Sequence, residues 1–324
     1  MTEKEKYRLL CDIEKNIPLF SQAWWLDIVC GKDNWTVLLA ESDDVIEASM
    51  PIYSPCSKII CLPYFTQTMG VWFSDKKKEL KYSRELYRKQ ELCKKIIGQI
   101  PQYHYFYQNF NHSFTDWLPF YWDGFRQSTN YTYILHNIKN ISALSLKENF
   151  SDSVKKSISK AQKSDIIVKK NIPLDDFLSI YEKTYGRQGK KPVGINLLGT
   201  LIESVKKCNQ GEIWGAFDNE NQLHAAVFIV WTDNCAYYIA GGGDPLLRNS
   251  GAHALVMLEA IQFASTVSDS FDFEGSMHSG IEHFFRGFGA MQTPYFAISK
   301  GKLNKIDKVR MEIGKYRDVR QILK

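Results

Sequence analysis

The chain has 324 residues, 44% hydrophobic and 24% charged, with a formal net charge of +5. This composition excludes disordered and collagen-like chains and suits a globular protein long enough for two domains, each with its own core. The longest uninterrupted apolar run, Ala225 to Trp231, falls far short of the roughly 20 residues a membrane helix needs, so no membrane span is expected.

Met1 to Arg8 is charged and lacks the apolar run of a signal peptide, which predicts a cytoplasmic protein. In the first half, a helix over Gln22–Val29 precedes strands at Thr36–Ala40, Val45–Tyr53 and Ile59–Leu62. A longer helix from about Leu80 to Ile100 follows, then the aromatic strand His104–Phe110, a short helix and a strand over Tyr131–Ile138. The seven cysteines are odd in number and dispersed, which argues for reduced thiols. Cys56 and Cys61 form the one close pair, with no second pair or suitably spaced histidine, so no metal site is expected.

From Asn140 onward the periodicity is clearer. Ser151–Ser164 is an amphipathic helix with Val154, Ile158 and Ala161 inside, and Ile166–Lys170 is a short strand. Helices over Asp175–Tyr185 and Ile195–Lys207 flank the loop 186–194. Strands follow at Glu212–Phe217, Leu223–Thr232 and Cys235–Ala240, joined by tight turns at Asp218–Asn221 and Asp233–Asn234. Gly251–Ala264 is a helix apolar almost all round, which must be buried against a sheet. Phe271–Glu274 alternates apolar and acidic residues, as a strand with one face toward polar surroundings does. Gly275 ends it. Ile281, Phe284, Phe285 and Phe288 then recur at helical spacing, with Glu282 and Arg286 four apart on another face and Gly289 as the stop.

The run Asp272-Phe273-Glu274-Gly275, the pairs Phe285-Arg286 and Phe288-Gly289, and the strand Pro294-Tyr295-Phe296-Ala297-Ile298 resemble the C-terminal core of the FemABX-like group of GNAT-type transferases. The resemblance implies an α+β fold of two tandem GNAT-like domains, each a mixed sheet flanked by helices. Residues 1–140 would be a degenerate N-terminal domain and 141–324 the C-terminal one with its basic tail. The final strand of one half would feed the other, and the halves would meet at a cleft.

The chemistry such a fold implies is transfer of an acyl or aminoacyl group to an amine, with acyl-CoA or aminoacyl-tRNA as co-substrate and no permanently bound cofactor. The acceptor would be a small-molecule or peptide-like amine, a cell-envelope precursor among them, and tRNA would be a partner through the donor. Donor binding falls to Gly241, Gly242 and Gly243, then Arg248, Ser250 and Gly251, since glycines allow close backbone approach and helix-start amides bind anions. Arg248-Asn-Ser-Gly251 matches part of the acetyl-CoA loop of these transferases, with His253 at the position where that loop ends in Gly or Ala. Glu274 is the expected proton acceptor, and Asp272 beside it keeps one of the two pKa values high. Arg286, where the family often has lysine, offers two-pronged carboxylate or phosphate recognition and cannot act as a base. Arg187, Gln188, His278, Glu282 and, in the first half, Gln67 of the Pro63–Gly70 loop are the expected acceptor contacts. A binding module of a different class, keeping the cleft for a peptide, nucleotide or polysaccharide precursor without catalysis, is the alternative.

From Lys300 to Lys324 nine Lys or Arg stand against three Asp or Glu. A solvated last helix with Ile306, Val309, Ile313 and Tyr316 as an apolar stripe accounts for this. The other reading is a patch for RNA or a nucleotide-linked substrate.

Overall fold

The computed structural model describes residues 1–75, 80–187, 189, 191–192, 194–275 and 277–322. In chain order its first elements are α1 (Glu3–Ile13), α2 (Ala23–Cys30), β1 (Trp35–Ser42), β2 (Val45–Cys56), β3 (Ile59–Cys61), β4 (Trp72–Phe73) and α3 (Tyr82–Gln99). Then come β5 (Tyr105–Asn109), α4 (Leu118–Trp122), β6 (Arg126–Leu135), α5 (Ala143–Glu148), α6 (Asp152–Lys163), β7 (Ile167–Lys170), α7 (Leu174–Arg187) and α8 (Ile195–Lys207). The remainder is β8 (Gly211–Phe217), β9 (Leu223–Trp231), β10 (Cys235–Gly243), α9 (Ala252–Val267), β11 (Ser270–Asp272), α10 (Ser279–Arg286), β12 (Met291–Gly301) and α11 (Lys305–Ile322).

Two compact units result, one of Met1–Asn130 with Pro294–Lys324 and the other of Tyr131–Thr293. This division differs from a single cut near residue 140, because the last strand and last helix return to the first unit. The first unit's sheet runs β1-β2-β3-β5 and then the end of β12, with β4 on β2. Its β3/β5 pair is parallel and its other pairs are antiparallel. Aromatic residues fill its core, among them Phe106, Phe110, Phe120 and Phe125, which meet edge to face at ring separations such as 5.0 Å for Phe110–Phe120.

The second unit's sheet runs from the end of β6 through β11, β10, β9 and β8 to β7. Only β10/β11 is parallel, so this sheet too is mixed. Helix α9 is buried on nearly every side, packed on β8 and β9 and covered by α6, as its almost unbroken apolar sequence requires. Val154, Ile158 and Ala161 are the residues α6 buries, and Ser151 caps its start by accepting from the Val154 N–H. Helix α7 packs on β9 and β10.

Four features differ from expectation. Helix α1 was not anticipated, although Thr2 and Glu5 form a capping box that marks its start. The strand expected over Phe271–Glu274 ends at Asp272, and both Phe271 and Phe273 are fully buried beside a buried Asp272, so no polar face exists there. Helix α10 ends at Arg286 with Gly287 as its cap; Gly289 lies beyond, at φ +74°, where a Cβ would come within 2.6 Å of the Asn149 carbonyl oxygen. In α11 the stripe Ile306, Val309, Ile313 and Tyr316 faces solvent while Asp307 and Asp318 are buried.

Candidate active site

Strand β10 sets up the site. Its pairing with β9 slips between Tyr238 and Ala240, leaving Ile239 as the extra residue of a bulge. A bulge frees a backbone amide and carbonyl from the ladder and re-aims the strand. Beyond it, Gly241, Gly242 and Gly243 line a cavity of about 600 Å³ that lies wholly within the second unit. Thr184, Tyr185, His224, Arg248, His278 and Glu274 also line it.

The protein's own packing already uses two of the three glycines. A Cβ on Gly242 would lie 1.8 Å from Thr184 Oγ1, and one on Gly241 would lie 2.5 Å from the Ala226 carbonyl oxygen. Their small size therefore serves the approach of α7 and β9 at least as much as that of a donor. Gly251, at φ +82°, lies where a Cβ would come within 2.1 Å of the Ser157 carbonyl oxygen, so it seats α9 against α6. Ser250 Oγ accepts from the Ala252 N–H at 3.3 Å, occupying one amide at the start of α9. Arg248 remains exposed on the cavity wall, the one expected donor contact that carries charge.

Beside β10 the chain leaves β11 through an elbow. Glu274 stands at φ +61° and Gly275 at φ +56°, two successive left-handed residues, and the first has a side chain that disfavours this conformation. Asp272 holds the elbow. Its Oδ1 accepts from the Glu274 N–H at 2.7 Å and from the Thr132 hydroxyl. Burial pushes the Asp272 carboxyl up to about 6, against the opposing pull of these two hydrogen bonds. Burial also drives Glu274 well above the ordinary carboxylate range, and the neighbouring Asp272 charge adds to the effect. Two carboxyls thus share a confined site in which the second proton is hard to remove.

This pair has a consequence for stability. A carboxyl whose pKa is raised on folding favours the folded state at low pH, and the contribution is lost as pH rises through the folded value. For Asp272 the window runs from 3.8 to about 6, corresponding to roughly 3 kcal/mol of opposition to folding at neutral pH. Asp272→Asn keeps an oxygen for Thr132 and for the Glu274 N–H. Its melting temperature is expected to exceed that of the wild type at pH 7.5 by several degrees, with the gap closing toward pH 4. Melting curves across that range check it; a gap that is constant with pH would show that folding does not raise the Asp272 pKa.

A family profile for the acetyltransferase (GNAT) domain matches residues 150–285. This segment holds α6 to α10, including β10, the cavity and the elbow. The matched residues, fewer than half of the chain, are similar to the GNAT acetyltransferase domain. The solved structure titled FemX superposes with a TM-score of 0.64 at 12% identity, over 91% of this chain and 96% of that one. The C-terminal domain of a putative lysylphosphatidylglycerol synthetase from Agrobacterium fabrum gives 0.53 at 8% identity, over 97% and 95%. L-PGS from Bacillus licheniformis gives 0.50 at 10% identity, over 86% and 88%. No curated protein sequence matches the chain. The fold is therefore similar to that of FemX, and residues 150–285 are similar to the GNAT acetyltransferase domain.

Not every expected site residue meets the cavity. His278 and Glu274 line it, whereas Arg286 and Glu282 do not; they pair with each other at 3.3 Å on α10, with the Arg286 side chain 61% exposed. Glu282 also accepts from the Tyr133 hydroxyl at 2.8 Å. An i,i+4 ion pair on an exposed helix face satisfies both charges locally, which is why the pair stays there. Arg187 ends α7, and Gln188 lies outside the described residues. Gln67 belongs to the first unit, where its backbone carbonyl accepts from Asn109 Nδ2 at 2.9 Å.

Three contributors escape sequence reasoning. Thr132, which holds Asp272, is 140 residues away along the chain, and no local pattern links them. His224 lines the cavity and pairs through Nε2 with Asp218 Oδ2 at 3.0 Å. The β8–β9 hairpin register, with Asp218 opening the turn, was the available signal for that pair. Asp244, which ends the glycine run, is held by Lys183 at 2.7 Å, tying the loop before α9 to α7.

Proposed function

We propose that the protein transfers an acyl group from an activated donor, acyl-CoA or aminoacyl-tRNA, to a small or peptide-like amine, with Glu274 as the proton acceptor. The observation that carries this reading is the elbow itself. A glutamate in a sterically disfavoured conformation, clamped by a second buried carboxylate, forms part of the cavity wall next to a bulged strand. Strain of this kind persists only where the surroundings impose it. A carboxylate with a raised pKa is a stronger base than an ordinary one, which suits it to an amine proton.

In the proposed step the amine nitrogen attacks the acyl carbonyl carbon while Glu274 takes the N–H proton. A backbone amide at the β10 bulge is suited to the developing oxyanion. The C–S bond of a thioester, or the C–O bond of an aminoacyl ester, then breaks, and the proton held by Glu274 passes to the departing sulfur or oxygen. Arg248 on the cavity wall would meet donor phosphates, and His278 and Tyr185 would contact the acceptor.

Calorimetry with acetyl-CoA tests the donor. Binding is expected, and Arg248→Ala is expected to weaken it about tenfold, the lower end of a charged hydrogen bond because Arg248 is exposed. Binding of charged tRNA but not of acetyl-CoA would select the aminoacyl branch. Binding of a peptide or precursor without turnover would instead identify a binding module.

A further inference from the structure

Helix α11 turns an apolar stripe outward. Its inner side carries Asp318, 1% exposed, which accepts from the Tyr53 hydroxyl at 2.8 Å, and Asp307, 8% exposed. Between them Gly314 lies so close to β2 that a Cβ would come within 2.2 Å of the Pro55 carbonyl oxygen. Ile306, Val309, Ile313 and Tyr316 are 64%, 60%, 63% and 59% exposed. Their spacing of three, four and three residues places them in one stripe about 15 Å long. At 100° per residue, Lys305 and Lys308 flank the stripe on one side and Arg310 on the other. Both aspartates are turned inward, and the remaining acid, Glu312, accepts from the Tyr64 hydroxyl at 2.8 Å. The outer face is therefore apolar along its middle and flanked by Lys305, Lys308 and Arg310, with the exposed Glu312 between the two lysines.

We infer that this face docks on the surface of an anionic lipid bilayer. An anionic bilayer accommodates both features at once: Ile306, Val309, Ile313 and Tyr316 enter the boundary between headgroups and acyl chains, and the basic side chains reach to the lipid phosphates. A nucleic acid would use the charges and leave the aliphatic stripe in water. A second copy of the chain would set like charges against each other, on a stripe narrow beside the ~800 Å² that each partner of a stable pair buries. The inference concerns the first unit and does not depend on the acyl-transfer reading.

Co-sedimentation of the full chain with vesicles tests it, using phosphatidylcholine alone and phosphatidylcholine with about one third phosphatidylglycerol. Binding is expected on the anionic vesicles and to be much weaker on the neutral ones, and it should fall as salt is raised. The double variant Val309→Glu, Ile313→Glu should bind at least about tenfold more weakly. Both side chains face solvent, so its melting curve should match the wild type; Val309→Ser, Ile313→Ser is the milder check on folding. The inference is overturned if the wild type ignores anionic vesicles or binds neutral ones equally. Undiminished binding by the double variant, which would reduce the contact to charge alone, also overturns it. So does a double variant that changes the mass seen by light scattering or loses binding to a single-stranded RNA while keeping that to vesicles, because the stripe would then belong to a second copy or to a nucleic acid.

Discussion

Glu274→Gln is expected to lower turnover by about a hundred- to ten-thousand-fold, the range lost when a positioned proton acceptor is removed. Glutamine preserves size and the elbow's backbone bond to Asp272, and it removes a carboxyl that burial already disfavours in its charged form. Melting temperature should therefore hold or rise, and donor affinity should change little. The pH profile adds a second reading. Because Glu274 titrates well above the ordinary carboxylate range, the wild-type rate should climb as pH rises and the group loses its proton. Asp272→Asn removes the neighbouring charge that adds to this elevation, so the climb should move to lower pH in that variant. Rates of thiol release from acetyl-CoA in the presence of a primary amine, measured across pH, provide the check. A Glu274→Gln enzyme with wild-type kcat and a lowered melting temperature would reduce the elbow to a structural device.

Gly275→Ala is expected to be the most damaging small substitution at the site. A Cβ there would lie 2.1 Å from the Tyr131 carbonyl oxygen and 2.5 Å from Thr132 Cα, both backbone atoms of the adjacent strand, and φ is +56°. Neither neighbour can rotate away, so β6 or the elbow must move, and Thr132 is the residue that holds Asp272. A loss of about 3 kcal/mol or more, read as a fall of roughly 10 °C in melting temperature, is expected together with loss of activity. Gly280→Ala in the first turn of α10 is the control. Among the described residues, and apart from its chain neighbours and its own helix backbone, no atom lies within 4 Å of its would-be Cβ; alanine is also the better helix former, so stability should be unchanged or slightly raised. Equal effects of the two substitutions would show that the close contact at Gly275 is not rigid.

Much of the architecture was legible along the chain because it rests on local periodicity. Helix α9 reads as buried from its unbroken apolar letters, α6 from its three inward positions, and the β8–β9–β10 meander from the Asp218–Asn221 and Asp233–Asn234 turns. The motif letters around Asp272 and Phe285 identified the GNAT-type fold, and the cavity does gather Gly241 to Gly243, Arg248, Ser250, His278 and Glu274. What the letters could not convey is which side of an element meets a neighbour. Asp272 and Glu274 look like the polar face of a strand; tertiary packing instead buries Asp272 and turns Glu274 through a left-handed elbow, because Thr132 and the tight approach at Gly275 come from a strand 140 residues earlier.

The Arg286–Glu282 pair shows the same limit from the other side. Their spacing made them neighbours on a helix, and they are, but only the orientation of α10 decides that they sit outside the cavity lining. In α11 the apolar stripe was legible in the sequence and its direction was not. Periodicity fixes which residues share a face; Tyr53, the Pro55 carbonyl and the small size of Gly314 choose the inner one, since a buried aspartate that accepts a hydroxyl proton and a glycine that admits close backbone contact can outweigh four exposed apolar side chains.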